Sequence, residues 1–207
     1  MALMSVETLA PDVLLGLWKI DELRVEDFLT AKPQLHPVYE QQISLHKSIA
    51  RQIEKLAIYS LLDEMIYSTS FSLIQYNEDG KPFYEGYKIS ISHTKGYAAL
   101  ILSKEREVSI DIEYFSRRVE RIFSRFIRPD EQSHTLNEKL INWSTKETVY
   151  KYYSAQHLGF FAIRLLPYEV KKSGMVIVDN LKTEEHLTVY YRMTPDYVLT
   201  YTYKERE

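Results

Sequence analysis

The sequence predicts an α+β fold. Two patterns carry that prediction: amphipathic helical segments, and strand-like segments that follow one another in runs instead of alternating singly with helices. A chain of 207 residues that is 45% hydrophobic and 27% charged can bury a core under a solvated surface, which argues against intrinsic disorder. The first helical pattern spans Val38 to Tyr67. There Ile49, Ile53, Leu56, Ala57 and Leu61 recur at helical spacing, and Lys47, Arg51 and Lys55 form a basic stripe facing away from them. Asn77-Glu78-Asp79-Gly80 reads as a turn, after which Lys81-Pro82 opens a stretch with strand alternation through Ile89-Ser90-Ile91-Ser92, ending near His93. Thr94-Lys95-Gly96 connects to a second strand, Tyr97 to Leu102. A third, Val108 to Glu113, follows, so three sequential antiparallel strands are expected. Between Val119 and Ile127 the apolar residues again fall on one helical face, with Arg118, Arg121, Arg125 and Arg128 on the other and Pro129 as the stop. A further helix from Asn137 to Tyr153 precedes strand candidates at Phe160 to Leu165, Met175 to Val178, Leu187 to Tyr191 and Tyr197 to Tyr203.

Charge and composition narrow the function. With 26 Lys plus Arg against 29 Asp plus Glu, the net charge of -3 gives no general attraction for nucleic acid, so an anionic ligand needs a local patch. The absence of cysteine excludes a disulfide framework, a thiolate metal site and a cysteine nucleophile; any metal is left to oxygen or imidazole ligands. The opening residues lack a basic stretch ahead of their short apolar run, and no apolar run reaches the roughly 18 residues of a membrane span. A cytoplasmic protein, bound to neither membrane nor nucleic acid, is the expectation.

The residues best suited to chemistry lie in the third strand and the helix after it. In Val108-Ser109-Ile110-Asp111-Ile112-Glu113 the period of two puts Asp111 and Glu113 on one face, where two carboxylates suit a hard cation such as magnesium. An ordinary half-buried strand with a solvated face accounts for the same pattern. In Trp143-Ser144-Thr145-Lys146-Glu147, i to i+4 spacing puts Trp143, Glu147 and Lys151 on one face, which fits either a third acid beside a phosphate-facing lysine or an exposed ion pair. His93 at a strand end and Lys81 in a Gly-Lys-Pro turn are each ordinary alone.

Taken in order, Gly80-Lys81-Pro82, Ile91-Ser92-His93-Thr94, Ile110-Asp111-Ile112-Glu113, Arg125-Phe126 followed by Glu131, and Trp143 with Lys146-Glu147 and Lys151 resemble the 4′-phosphopantetheinyl transferase superfamily. The likeness is to its larger, pseudo-dimeric class, which acts on acyl or peptidyl carrier proteins of fatty-acid, polyketide and nonribosomal peptide systems. It covers Gly80 to Lys151, and the order of the motifs is more specific than any one of them. The resemblance implies two similar α+β halves with the site in the cleft between them. Residues 1–107 would supply the coenzyme A phosphate contacts, and residues 108–207 the magnesium site and the carrier-docking surface. It implies that Asp111, Glu113 and Glu147 hold magnesium, that Lys81, Pro82, Ser92, His93, Lys146 and Lys151 meet coenzyme A, and that Arg51 or Lys55 takes the 3′-phosphate. Glu131 would act as the base, with Lys146 and His93 completing the catalytic set.

Two stretches depart from the family pattern: Ser109 replaces a usual glycine, and Ser154-Ala155-Gln156-His157 replaces a Gly-Lys-Gly-like loop. The expected partner is an apo acyl carrier protein docking on Arg118, Arg121, Arg125 and Arg128, with the enzyme a monomer. A magnesium nuclease or phosphohydrolase, and a non-catalytic coenzyme A or carrier-binding module, are the alternatives. The commonest nuclease pattern wants a lysine two residues after the strand acid, where this chain has Phe115.

Overall fold

A computed structural model of the chain describes residues 3–20, 24–66 and 72–205. The fold is α+β, with two antiparallel sheets and four α-helices among the described residues. The first sheet holds β1 (Leu3–Ala10), β2 (Val13–Lys19), β3 (Gln75–Tyr76), β4 (Pro82–Tyr84), β5 (Tyr87–Thr94) and β6 (Tyr97–Ser103), in the order β1-β2-β6-β5-β4-β3. Helices α1 (Val25–Ala31), α2 (His36–Leu45) and α3 (Ile49–Met65) belong to the same half. The second sheet holds β7 (Val108–Tyr114), β8 (Ile163–Leu165), β9 (Ser173–Asn180), β10 (Glu185–Met193) and β11 (Tyr197–Tyr203), in the order β7-β11-β10-β9-β8, and α4 (Leu136–Tyr152) packs on it.

Strand β6 explains why its sequence is apolar without alternation. Ala98, Leu100 and Leu102 face the α3 core, while Tyr97, Ala99 and Ile101 face the second half, so both faces are buried. On β2, Gly16 lets α3 come close: a Cβ there would lie 2.7 Å from Met65 Sδ and 2.9 Å from Leu61 Cδ2. The helix expected from Val38 to Tyr67 is two helices, α2 and α3, broken at 46–48; Tyr67 itself lies outside the described residues. Gln52 explains the break. Its side-chain amide donates to the carbonyls of Ile43 (3.1 Å) and His46 (2.7 Å), satisfying the end of α2 so that the chain can turn into α3. Ile49, placed on the apolar face by its spacing, is exposed in the first turn of α3.

The junction of the halves corrects the expected meander. β7 does not pair with β6; it joins the second sheet beside β11. Its other edge is met by hydroxyls from β5: Ile110, Ile112 and Tyr114 donate their backbone N–H to Ser90, Ser92 and Thr94 at 3.1, 3.2 and 3.0 Å. Side-chain oxygens at every second residue thus take the place of a backbone ladder along this edge. Val108, Ile110 and Ile112 turn away from α4 into an apolar layer with Val13, Leu15 and Leu17 of β2, and alternation sends Asp111 and Glu113 toward α4.

The segment from Val119 to Ile127 is not an α-helix but two short 3-10 turns, Arg117–Arg121 and Phe123–Arg125. Arg117, Arg121 and Arg125 would stack like charges at i, i+4 and i+8 along a regular helix, which disfavours it. Val119, Phe126 and Ile127 still reach the α4 core. Helix α4 begins where its capping box dictates: Thr135 Oγ1 accepts from the Glu138 N–H at 3.2 Å, and Glu138 Oε2 accepts from the Thr135 N–H at 2.7 Å. No described helix is long and apolar enough to cross a membrane.

Candidate active site

A cavity of about 270 Å³ opens where α3, the β3–β4 turn, β5 and α4 converge. Its cationic wall is Arg51 and Lys55 from α3, Lys81 from the turn and Lys151 from α4. Ile58, Ile91, Pro82 and Tyr76 supply apolar surface. Successive turns of α3 carry Arg51 and Lys55 to the same side, whereas Lys47 precedes the helix and does not line the cavity. Gly80 takes a φ of 74° in the turn, and Asn77 Oδ1 accepts from the Lys81 N–H at 2.8 Å, which presents the Lys81 side chain; its ammonium pairs with Glu107 at 2.7 Å.

His93 sits against Arg51 and Glu54. Arg51 donates to its Nε2 as well as to Glu54 Oε2 at 2.9 Å, and Nδ1 faces Glu54 Oε1 at 3.3 Å. A guanidinium only donates, so Nε2 accepts and the ring proton lies on Nδ1, toward Glu54. Burial pushes the His93 pKa down. The Glu54 charge opposes that, and Arg51, Lys151 and Lys55 add to it.

Beside the cavity lies the acid cluster. Asp111 is buried, with Oδ1 accepting from Ser92 (2.9 Å) and Lys151 (2.8 Å), and Oδ2 accepting from Ser144 (2.9 Å). Glu113 Oε1 accepts from the Trp143 indole N–H at 2.7 Å. Burial first, then the Asp111 charge, drives the Glu113 pKa up from 4.5 to about 7, with Glu147 adding to the rise and the Trp143 hydrogen bond opposing it. Glu147 is pushed up by burial and by Asp111, and is opposed by Lys151. The Asp111 charge is thus close enough to disfavour ionisation of both glutamates, and the Lys151 ammonium is the cation seated on Asp111. Among the described residues no group of three or more acids or histidines is arranged to hold a metal ion by itself. Magnesium does not need one: it keeps several waters and is held through one or two carboxylates plus substrate phosphates, so an oxygen-only, mutually repelling donor set fits it.

Residues 107–202 match the family model of the 4′-phosphopantetheinyl transferase superfamily. This stretch belongs to that superfamily. Comparison with curated proteins finds no match. The matched stretch holds β7 through most of β11, and with them Asp111, Glu113, Glu147 and Lys151, while the cationic wall from α3 and the β3–β4 turn lies ahead of it. The two departures from the transferase pattern have local explanations. Ser109 is fully buried and its hydroxyl donates to the Thr148 carbonyl at 2.7 Å, tying β7 to α4. Ser154 lines the cavity rim, and His157, with a φ of 48°, faces Asp79 at 3.6 Å across from the Gly80 turn.

The structure does not bring every expected residue to this site. Lys146 points into the core of the second half, where its ammonium pairs with Glu131 at 2.8 Å and donates to the carbonyls of Phe160 (3.1 Å) and Ile163 (2.7 Å). Glu131 also accepts from the backbone N–H groups of Arg128 (2.7 Å) and Leu165 (2.8 Å). Ser92 addresses Asp111 and does not line the cavity. Sequence reasoning missed Glu54, Tyr76 and Ser144. Glu54 lies three residues after Arg51, a spacing that could have flagged it; Tyr76, whose hydroxyl accepts from Lys55 at 3.1 Å, carried no local signal.

Proposed function

We propose that the chain transfers the 4′-phosphopantetheine arm of coenzyme A to a serine hydroxyl of an apo acyl carrier protein or carrier domain, releasing 3′,5′-ADP, as a holo-[acyl-carrier-protein] synthase type enzyme. One observation carries the reading. Lys151 both lines the cationic cavity and touches Asp111, so an anion-binding pocket from residues 1–107 and an acid cluster from residues 108–207 form one continuous site. We divide the halves at that boundary. Arg51, Lys55, Lys81 and His93 are suited to the coenzyme's phosphates, with Pro82 and Tyr76 as apolar wall. Asp111, Glu113 and Glu147 would hold magnesium, which when bound supplies charge neutralisation to the pyrophosphate. Lys151 bridges the metal acids and the cavity, and Ser92 orients Asp111. The carrier serine oxygen attacks the β-phosphorus, the bond to 3′,5′-ADP breaks, and the serine proton is released to solvent.

We assign Glu131 and Lys146 to holding α4 against the second sheet instead of to the transferred proton or the phosphates. Both side chains are almost wholly buried and already bound to each other and to backbone groups. The carrier partner is acidic in character and meets the exposed Arg118, Arg121 and Arg125. Arg128 is committed to Asp130 (2.8 Å) and to the Phe161 carbonyl (2.7 Å). The test is mass spectrometry of a panel of apo carrier proteins incubated with the full chain, coenzyme A and magnesium. At least one carrier is expected to gain the phosphopantetheine mass. Folded protein that binds coenzyme A yet shifts no carrier overturns the transferase reading.

A further inference from the structure

Two consecutive residues of α4 each address a different acid of β7. The Trp143 indole N–H donates to Glu113 Oε1 at 2.7 Å, and the Ser144 hydroxyl donates to Asp111 Oδ2 at 2.9 Å. Neither donor is free to wander. The Trp143 ring lies between Phe126 and Phe160, with centroids 4.8 and 5.4 Å away. Ser144, Thr148 and Thr200 are fully buried; Ser144 Oγ lies 2.9 Å from Thr200 Oγ1, which lies 2.6 Å from Thr148 Oγ1. A carboxylate only accepts, so the Ser144 proton points at Asp111, while Thr200 Oγ1 donates to the Ser144 carbonyl at 2.9 Å and holds that turn of α4 in place. Glu113 Oε2 keeps no hydrogen bond among the described residues, so the Trp143 contact fixes the group while leaving an oxygen open.

We propose that Trp143 and Ser144 are positioning residues that set Glu113 and Asp111 in the orientation a divalent cation requires, an inference that rests on the transferase reading of this site. Donors behind a ligating carboxylate fix its rotamer, and their loss typically lowers metal affinity by about 10- to 100-fold. A merely structural role for Trp143, as an aromatic anchor of the core, needs the ring and not the N–H.

The test is Mn²⁺ binding to the full chain, followed by electron paramagnetic resonance of the free ion with and without coenzyme A, for wild type, Asp111→Asn, Trp143→Phe and Ser144→Ala. Trp143→Phe keeps the ring stack and removes the N–H. Both positioning variants are expected to keep the fold by circular dichroism and to bind Mn²⁺ about 10-fold or more weakly. If Ser144→Ala does not fold, Ser144→Cys, of similar size with a weak donor, takes its place. Wild-type affinity in folded Trp143→Phe and Ser144→Ala, alongside loss in Asp111→Asn, overturns the inference and leaves the metal site standing. Equal affinity in wild type and Asp111→Asn instead overturns the metal-site reading itself.

Discussion

Asp111 is buried and Glu113 and Glu147 are half-buried, and their charges are met differently. Asp111 has Ser92, Ser144 and Lys151 on its oxygens, whereas Glu113 has a neutral indole donor and two acidic neighbours. Glu113 therefore holds a proton up to about pH 7 in the folded protein without metal, against 4.5 ordinarily. Because the folded pKa is the higher one, the folded state binds the extra proton, and its stabilising contribution is full below about 4.5 and lost as pH rises through about 7. Metal-free protein should accordingly lose stability between pH 5 and pH 8 by up to a few kcal/mol from this group. Glu113→Gln should flatten the dependence, as read from thermal melting at the two pH values. A wild-type slope in the variant would mean that another group titrates there.

At the scale of elements, α4 carries the site on one side and its own anchorage on the other. Trp143, Ser144 and Lys151 reach the acids of β7, and Lys151 also lines the cavity, while Lys146 reaches Glu131 and the carbonyls of 160 and 163. Burial pushes the Lys146 pKa down and the Glu131 partner opposes that, as expected of an ammonium that depends on one carboxylate. Glu131→Gln leaves that ammonium in the core without its counter-charge and should cost about 3–5 kcal/mol of stability in chemical denaturation. Single-turnover transfer by the protein that remains folded should be near normal. Intact stability with a lost chemical step would return Glu131 to the role of base. The 3-10 turns at Arg117–Arg121 and Phe123–Arg125 show the same economy, burying Val119, Phe126 and Ile127 while leaving arginines outside.

For the whole molecule, a net charge of -3 means that an acidic partner is drawn by a patch and not by the protein's overall field. Arg118, Arg121 and Arg125, exposed and next along the chain from β7, are the patch proposed for that partner. Exposed charges act on encounter and are screened within about 8–10 Å at ordinary salt, so Arg118→Glu and Arg121→Glu should slow carrier use several-fold at low salt and little at high salt. Coenzyme A affinity should stay constant. Unchanged carrier kinetics at both salt levels would remove this surface as the docking site.

What the sequence determined is whatever depends on local spacing. Alternation placed Asp111 and Glu113 on one face of β7, helical spacing placed Arg51 and Lys55 on one side of α3, and the capping pair Thr135 and Glu138 started α4 at Leu136. The α+β class was legible for the same reason, whereas the first β-hairpin, β1 and β2, was not among the expected strands. Only the tertiary structure decided which sheet β7 joins, that α2 and α3 are separate, and that Lys146 faces the core while Lys151 faces the acids. Those outcomes rest on contacts between residues far apart in the chain: Ser90 and Ser92 meeting the edge of β7, and Lys146 meeting the carbonyls of Phe160 and Ile163. Periodicity tells which side chains share a face, but the partner of that face is chosen by long-range burial and by the need to satisfy every buried donor.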